Sequence, residues 1–360
     1  MAKQSQFVAD MFGRRKSNSP LFFIHIPKTA GTSFREAAIS HWGQPRVWSD
    51  YGNTQHTSPE VRELIHQQPD YFAFQQRLHE SRIRLLSAHA PVRYFRRIFP
   101  AAQLVTLLRD PVSRTLSHYN TARTKQGFTG SLEAFCSIEE HQNVQSRYLD
   151  QLPIELVGCV GITERYMQSV AMFNRMYATR FKVMTLNQQG EHTANAQKTI
   201  SAEDINIATS INQLDLQLYR SALALFETRL ELEERDQNYI HAKVQKIADK
   251  RLEGWAVNMR APEKPVVVDV YLNGSTVGSR EATQYVPAMK ERNAGRSGYV
   301  GFTYMFEQAP QIGDKVEVKV RDTGQVLNGS RRIKTSTALD YSNTIDTEVS
   351  TGPTLQSGAA

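Results

Sequence analysis

Residues 21–33 have the sequence LFFIHIPKTAGTS, a nearly continuous apolar run followed by a loop of small residues. Such a run is typical of a short strand buried on both faces of a parallel sheet, and Pro27 ends it. A helix is predicted from Ser33 to about His41. In a strand, loop and helix unit of this kind, backbone N–H groups converge on an anion at the helix N-terminus. The segment therefore predicts a phosphate site.

The same pattern recurs downstream. The stretch at 82–87 (RIRLLS) leads to His89, and the mainly apolar stretch at 103–108 leads to Arg109, Asp110 and Pro111. Pro111 suits the first position of a helix, where its missing N–H has no partner to lose. Further strands are predicted at 156–162 and 181–186, with a helix at 164–177 between them. Alternating strands and helices predict an α/β fold, a P-loop-like parallel sheet flanked by helices.

The periodicity changes twice in the C-terminal half. Helical spacing begins at Ser201 and is predicted to continue, with breaks, to about Lys250, packed against the sheet. After Gly254 the period falls to two, and Asn273-Gly274 is a strong hairpin signal. We therefore predict four parts: a flexible leader (1–20), an α/β domain (21–250), a small β-sandwich-like accessory domain (254–328) and a disordered tail (330–360) rich in Ser and Thr.

Composition narrows the class without deciding the function. The chain has 360 residues, 40% of them hydrophobic, and 43 Lys+Arg against 36 Asp+Glu give a net charge of +7. Cys136 and Cys159 are too few for a disulfide framework or a Cys-rich zinc site. No stretch approaches the ~20 apolar residues of a membrane span. We expect a soluble, cytoplasmic protein without stable membrane insertion, and the charge surplus only hints at an anionic ligand.

The first loop differs from the loop that binds nucleoside triphosphates. That loop has the pattern G-x-x-x-x-G-K-[ST], whereas here Lys28 precedes the single Gly31. The predicted phosphate therefore does not belong to a magnesium triphosphate. A plain strand-to-helix turn with a capping Ser or Thr is the structural alternative.

Arg109 is the second candidate, with Ser117 eight residues later in the following helix. The planar guanidinium binds phosphate oxygens in pairs. Open α/β sheets bind ligands at the carboxyl ends of their strands, which is where Arg109 is predicted to lie. The alternative is a surface pair of Arg109 with Asp110 and an ordinary helical Ser.

Together these stretches resemble a known family. Residues 27–33 (PKTAGTS) resemble the 5′-phosphosulfate loop of sulfotransferases that use 3′-phosphoadenosine 5′-phosphosulfate (PAPS). Residues 109–119 (RDPVSRTLSHY) resemble their 3′-phosphate motif. Residues 143–149 (NVQSRYL) and 161–166 (GITERY) are similar to segments of the bacterial and heparan-type, carbohydrate-modifying branch. The resemblance covers roughly residues 21–230.

The resemblance implies roles for individual residues. Lys28 would contact the bridging oxygen and stabilise the leaving phosphate, the loop would bind the 5′-phosphate, and Arg109 with Ser117 would bind the 3′-phosphate. The polar segment 192–198 falls where relatives close a loop over the donor, with a plain surface loop as its alternative. No metal is implied. The donor-binding residues predicted in this way are Lys28, Thr29, Ala30, Gly31, Thr32, Ser33, Arg109, Ser117 and Lys198.

The resemblance also implies a general base. Heparan-type relatives place a His after the strand that precedes the 3′-phosphate motif, and the match is His89. The sequence departs from the family there, because Ala88 replaces the frequent Gly and Ser87 stands where a second His can occur. A neutral imidazole near pH 7 could accept the acceptor's proton. The structural alternative is that His89 only caps the end of the strand. His25 and His118 are rival candidates for the base.

Other polar and aromatic residues remain open. Arg147 and Arg165 could reach an anion or pair with carboxylates on helix faces. Tyr271, Tyr285 and Tyr304 could form sugar platforms in the accessory domain, although alternating strand residues more often simply pack.

The predicted function is transfer of a sulfuryl group from PAPS to a hydroxyl-bearing acceptor, with a carbohydrate or glycan favoured and 3′-phosphoadenosine 5′-phosphate as the product. Alternatives are a P-loop kinase-like phosphotransferase and a noncatalytic glycan-binding protein. Nucleic acid is not an expected partner, and the sequence leaves the oligomeric state and the acceptor open.

Overall fold

The computed structural model describes residues 19–150, 152–183 and 200–334. The predicted leader lies outside these ranges except for residues 19 and 20. The predicted tail lies outside except for residues 330–334. The segment 192–198, which contains the candidate Lys198, also lies outside them.

The first part of the chain forms a five-stranded, wholly parallel sheet in the order β2-β3-β1-β4-β5. All five strands are buried, which explains the mainly apolar composition of every strand except β2, where Ser49 and Asp50 are buried polar residues. The predicted fold class is confirmed. The strands are β1 (Leu21–Ile24), β2 (Val47–Asp50), β3 (Leu85–Ala88), β4 (Leu104–Leu108) and β5 (Cys159–Ile162).

Helices flank this sheet, and α4 begins with Pro111 as predicted. The helices are α1 (Gly31–Trp42), α2 (Pro59–Val61, continued by a π-helical turn over Arg62–Gln67), α3 (Tyr71–Glu80), α4 (Pro111–Lys125), α5 (Leu132–Cys136), α6 (Val144–Leu149), α7 (Tyr166–Tyr177), α8 (Ala202–Ser210), α9 (Gln213–Glu234) and α10 (Pro287–Glu291). Short 3₁₀ turns cover Gln44–Arg46, Val92–Tyr94, Ala101–Gln103, Glu139–His141, Ile154–Leu156, Thr163–Arg165 and Arg296–Gly298.

The sheet differs from the prediction in two places. Strand β2 was not predicted from the sequence. The strand predicted at 181–186 is wrong over Phe181–Val183, which have no strand conformation, and its remaining residues lie outside the described ranges. Phe181 is instead buried against the aromatic rings of Phe34 and Phe173.

The long helical region ends earlier than predicted. Ser201 caps α8 in a capping box with Asp204, and α9 packs its apolar side on the sheet through Ala222, Leu225 and Phe226. The prediction of helix to Lys250 is wrong, because α9 ends at Glu234 and a strand follows it.

The rest of the chain forms two four-stranded antiparallel sheets, in the orders β10-β11-β7-β6 and β13-β12-β8-β9. Asn273 and Gly274 join β8 to β9 with φ of 52° and 87°, the left-handed pair that a type I′ turn requires. The strands are β6 (His241–Ala248), β7 (Arg251–Val257), β8 (Val267–Leu272), β9 (Ser275–Glu281), β10 (Gln284–Tyr285), β11 (Tyr299–Met305), β12 (Lys315–Val320) and β13 (Arg331–Arg332).

The C-terminal β region (residues 241–332) has limits that differ from the predicted ones at both ends. Because β6 pairs with β7, the region begins at His241, ahead of the predicted boundary at 250–254. Because β13 pairs with β12 and Ile333 is buried, order extends past 330, where the tail was predicted to start.

Strand β7 faces two cores. Leu252 and Ala256 belong to the apolar cluster between the two antiparallel sheets, whereas Trp255 and Val257 belong to the core of the parallel sheet. This alternation follows from the two-residue period of a strand. The β region therefore shares a core with the α/β region.

Within the described ranges, no helix combines the length and hydropathy needed to cross a membrane.

We expect Gly254→Ala to destabilise the protein. A Cβ at this position would lie 2.5 Å from the Lys243 carbonyl oxygen and 2.5 Å from the Phe302 ring. Because the carbonyl belongs to the paired β6 strand, the methyl group forces the hairpin apart, at a cost of about 1–3 kcal/mol. The free energy of unfolding from urea titration measures this cost. Glu253→Ala, on the same strand, is the control and should change it by less than about 0.5 kcal/mol; equal effects would contradict the prediction.

Candidate functional site

Three predicted site residues follow three adjacent strands. Lys28 follows β1, His89 follows β3 and Arg109 follows β4, and the sheet order places β1 between the other two. Since the strands are parallel, their carboxyl ends share one edge of the sheet, where such folds bind ligands. The structure thus brings these three residues to one edge.

The loop after β1 has an unusual backbone. Lys28 and Ala30 have φ of 72° and 65°, in the left-handed region that non-glycine residues rarely adopt. Ala30 is the N-cap of α1, and no side chain caps this helix N-terminus. The first N–H groups of α1 thus start from a strained turn of the kind found at functional sites.

The side chains of the loop are not equivalent. Thr29 is fully buried, and its hydroxyl donates to the Ile26 carbonyl oxygen at 2.9 Å. Thr32 is exposed, whereas Ser33 is buried. The Thr29 hydroxyl is therefore committed within the protein, and Thr32 is the hydroxyl that the loop presents at its surface.

Gly31 is packed against His25. A Cβ on Gly31 would lie 2.0 Å from Cδ2 of His25, so only glycine allows this approach. His25 is buried, and the Ser87 hydroxyl lies 3.4 Å from its Nδ1. Burial lowers the pKa of His25 well below its ordinary value, with further lowering by His89 and Arg35. His25 supports the loop as a neutral ring.

Lys28 joins the two predicted motifs. Its Nζ donates to the Thr121 hydroxyl of α4 at 2.7 Å, and that hydroxyl donates in turn to the Ser117 carbonyl oxygen at 2.9 Å. Nη1 of Arg109 donates to the Lys28 carbonyl oxygen at 3.3 Å. The loop, Arg109 and the Ser117 turn of α4 therefore form one contiguous cluster.

A buried amide fixes the backbone of Arg109. The Gln145 side chain accepts from the Arg109 N–H and donates to its carbonyl oxygen, both at 2.9 Å. Gln145 is fully buried at the start of α6. It lies within the segment 143–149, but no role for this residue was predicted from the sequence.

Asp215 supports this arrangement from α9. Its carboxylate accepts from the Gln145 N–H at 3.0 Å and from the Ser146 N–H at 2.7 Å, and the residue has no exposed surface. In return, the Asn143 side chain accepts from the Leu214 and Asp215 N–H groups at the start of α9. Each helix caps the other, which satisfies N–H groups that a helix start leaves unpaired.

Asp215 also compensates a buried charge. Burial lowers the pKa of the Arg114 guanidinium to about 10, and the Asp215 carboxylate opposes this. Arg114 has no exposed surface and donates to the Thr115 hydroxyl and the His141 carbonyl oxygen. Arg114 therefore has a structural role within the segment 109–119.

His89 lies among rings at the end of β3. Its ring centroid is 3.9 Å from that of His25 and 4.8 Å from that of Tyr51. The pKa of His89 is lowered to about 4, mainly by burial and also by Arg35, while Asp50 opposes the shift. His89 is thus a neutral imidazole at pH 7.

The sequence missed Asp50 and His66. Asp50 is buried at the end of β2, its Oδ1 lies 2.7 Å from Nε2 of His66, and its carbonyl oxygen accepts from the His89 N–H. The π-helical turn of His66 is a feature often found at functional sites. Asp50 ends a strand that was not predicted, and a single Asp belongs to no recognisable motif. Its position beside His89 is therefore visible only in the structure.

The remaining candidates lie among neighbouring side chains. His118 packs edge-on against Phe135 and His141, and its Nδ1 has no hydrogen-bond partner among the described residues. Its pKa is lowered to about 4, mainly by burial and also by the charges of Arg114, His141 and Lys28. Arg147 donates to the Glu139 carbonyl oxygen, and Arg165 pairs with Glu227. Both arginines therefore interact with acceptors of the protein itself. Within the described residues, no three metal-ligating side chains cluster.

The tyrosines of the β region also separate. Tyr304 is buried and its hydroxyl donates to the Val277 carbonyl oxygen, so the suggestion that it forms an exposed sugar platform is wrong. The Lys319 ammonium lies 4.6 Å from the centre of the Tyr271 ring. Tyr285 is exposed, with the ring of Tyr299 beside it.

No protein-family model and no curated protein matches this chain. Among solved structures, it is similar to the crystal structure of a sulfotransferase from Alicyclobacillus acidocaldarius, with 19% sequence identity. The match covers 56% of this chain and 98% of the other, with a TM-score of 0.29. At this TM-score the likeness supports no conclusion about function.

We expect Asp215→Ala to lower the free energy of unfolding by about 3 kcal/mol, because it leaves two buried N–H groups unpaired and removes the carboxylate that opposes the pKa shift of Arg114. Asp204→Ala, which removes the half-buried capping carboxylate of α8, is the matched control and should cost about 1 kcal/mol. Urea titration compares the two variants. Equal losses would show that Asp215 acts only as an ordinary cap.

Stability should also fall between about pH 6.5 and pH 4. An unfolded His has a pKa near 6.5, whereas His89 and His118 have pKa values of about 4 in the folded chain. In this window the unfolded chain binds more protons, so between pH 7 and pH 5 acid favours unfolding by about 1–2 kcal/mol for His89, and by less for His118, whose more exposed ring is screened by solvent. His118→Gln should flatten this dependence, whereas His79→Gln, at an exposed position of α3, should not. An unchanged slope in His118→Gln would contradict the assignment.

Proposed function

We propose that this protein is a PAPS-dependent sulfotransferase that transfers a sulfuryl group to a hydroxyl group of an acceptor, with a carbohydrate or glycan as the acceptor. One observation carries the proposal: the two motifs that resemble the donor-binding segments meet at one sheet edge. Lys28 donates to Thr121 of α4, and Arg109 donates to the Lys28 carbonyl oxygen. A single nucleotide bound at both phosphate-bearing ends requires this proximity.

The chain's own groups suit such a donor. The N–H groups of the first turn of α1 and the Lys28 ammonium would bind the 5′-phosphosulfate, helped by the positive end of the helix dipole. Arg109 and Ser117 would bind the 3′-phosphate, with Arg109 held in place by Gln145. The exposed Thr32 hydroxyl is available to the phosphosulfate.

The reaction is an in-line substitution at sulfur. The acceptor oxygen forms a bond to sulfur, the bond from sulfur to the 5′-phosphate oxygen breaks, and 3′-phosphoadenosine 5′-phosphate leaves with the bonding electron pair. Lys28 stabilises the negative charge that develops on the leaving oxygen. A lysine and fixed N–H groups act on that charge without solvent reorganisation, which is the main source of such stabilisation.

His89 would take the proton of the acceptor hydroxyl. Its pKa of about 4 keeps a ring nitrogen unprotonated at pH 7. The same burial makes the ring a weak base in the free protein, and the Asp50 carboxylate counteracts this. A bound anionic donor would raise the pKa of His89 further, because nearby negative charge favours the protonated ring. The base therefore gains strength when the donor is present.

The test is transfer of label from radiolabelled PAPS to a panel of glycans, lipids and small alcohols. We expect wild type to transfer label. Lys28→Ala should lower kcat by about 10²–10³-fold, because it removes charge stabilisation. His89→Ala should lower kcat by about 10²–10⁴-fold, because it removes the base. His79→Ala is the control at an exposed position and should retain full turnover.

Three outcomes would contradict the proposal or its parts. A wild-type protein that neither binds 3′-phosphoadenosine 5′-phosphate nor transfers label removes its basis. Transfer of phosphate from ATP that requires magnesium favours the kinase-like alternative. Full turnover of His89→Ala, with activity lost in folded His118→Ala, shows that the base is wrongly assigned.

A further inference from the structure

A cavity of about 50 Å³ lies at the edge of the parallel sheet opposite to Lys28 and Arg109. Ala102 and Gly158, which line it, immediately precede the amino ends of β4 and β5. The ends of α7 and α9, the start of β6 and the residues after β7 close it. The cavity thus lies where the α/β region meets the β region, a common place for small-molecule sites.

A buried arginine lines this cavity, and two of its guanidinium nitrogens lack acceptors. Arg229 is 1% exposed, and its Nη2 donates to the Val157 carbonyl oxygen at 2.8 Å. Its guanidinium lies 4.3 Å from the centre of the Tyr239 ring. Burial raises the pKa of Tyr239, and a hydrogen bond between its side chain and the guanidinium opposes this rise. Nε and Nη1 have no partner with good hydrogen-bond geometry among the residues that the structure describes. Buried donors without partners are costly and uncommon, so this pair of nitrogens calls for an acceptor.

The charges around the cavity are unbalanced. Glu233 lines it, and Nη1 of Arg175 lies 3.2 Å from its Oε2. Arg229 and Arg260 lower the pKa of the same carboxyl, although burial has the larger effect and raises it. The buried Arg229 therefore shares the Glu233 carboxylate with Arg175. The nearby Glu155 is already paired with Lys243 at 3.3 Å, so it does not supply the missing negative charge.

The lining also offers an acceptor. Oε1 of Gln237 is buried and has no hydrogen-bond partner within the described part of the chain. A ligand that carries a hydroxyl group in addition to negative charge would satisfy both Gln237 and Arg229. Ordered water could pair with these atoms as well, but water brings no negative charge to the buried Arg229 guanidinium, which shares the Glu233 carboxylate with Arg175.

The size of the cavity limits the ligand. A water molecule needs roughly 10–15 Å³ of such space, so a cavity of about 50 Å³ has room for about three to five non-hydrogen atoms. A nucleotide or a sugar residue is too large to be enclosed in this space. Monohydrogen phosphate and a two-carbon hydroxy acid such as glycolate have this size, a negative charge and a hydroxyl group.

We infer that this cavity binds one small hydroxylated oxyanion, monohydrogen phosphate or a two-carbon hydroxy acid, through Arg229, Arg260 and Gln237. The site does not depend on the proposed transferase function, because it lies at the other edge of the sheet. Since its lining comes from both regions of the chain, the bound anion stabilises their junction.

The test follows the melting temperature of the full chain as phosphate, sulfate, glycolate or acetate is added at constant ionic strength. Sulfate and acetate are the matched anions without a hydroxyl group at pH 7. We expect a saturable rise with phosphate or glycolate and a weaker response to the matched anion. A Lys28→Ala/Arg109→Ala double variant should retain this rise, which separates the cavity from the predicted donor site.

Variants of the lining provide the second measurement, by calorimetric titration with inorganic phosphate or glycolate. Arg229→Met should weaken binding by about 10-fold or more, as loss of a charge-assisted hydrogen bond does. Because Arg229 is buried and this variant could fail to fold, the exposed Arg260→Ala and the half-buried Gln237→Leu test the same site.

Any of four results would overturn the inference: no saturable rise in wild type, a rise that vanishes in the Lys28→Ala/Arg109→Ala variant, unchanged affinity in both Arg260→Ala and Gln237→Leu, or a crystal structure grown with phosphate and glycolate that contains only ordered water at Arg229. Equal affinity for sulfate and phosphate would overturn the role of Gln237.

Discussion

Strand β1 lies between β3 and β4 in one parallel ladder, and the whole candidate site depends on this register. Ile24 pairs with Ala88 on one side and with Thr106 on the other, and the Thr106 hydroxyl donates to the Ile24 carbonyl oxygen at 3.0 Å. Because the strands run in the same direction, the residues after Ile24 and Ala88 emerge side by side. These are His25 and His89, whose ring centroids are 3.9 Å apart. A slip of one residue would turn the two rings to opposite faces of the sheet.

The strained loop after β1 is fixed from the neighbouring strands. The left-handed conformations of Lys28 and Ala30 are unfavourable for residues with a Cβ, so other contacts must hold them. Two carbonyl groups of the loop supply these contacts. The Lys28 oxygen accepts from Arg109 after β4, and the Thr29 oxygen accepts from the Thr163 hydroxyl after β5. The same residues that would touch a ligand therefore also determine the shape of the loop, which couples stability to any function of this edge.

The sequence predicts features that depend on neighbouring residues and misses those that depend on distant ones. The apolar run of β1 and the start of the next helix are local, so the loop between them was found. Strand β2 (Val47–Asp50) is short and half polar, and only its burial beside β3 makes it a strand, so Asp50 and its contact with His66 were missed. In β6 an irregularity between Val244 and Lys246 interrupts the alternation of buried residues. A broken period of two resembles a helical spacing, which explains why helix was predicted there.

Two interior arginines show why the net charge of +7 says little about function. Arg114 and Arg229 are 0% and 1% exposed, and in both Nε and Nη1 lack a partner among the described residues. A buried guanidinium needs a compensating anion. Arg114 has one in Asp215, a fully buried carboxylate that itself accepts two backbone N–H groups. Near Arg229 the carboxylate of Glu233 is also paired with Arg175. The charge of the buried Arg114 is thus compensated within the fold, whereas the charge of the buried Arg229 is compensated only in part.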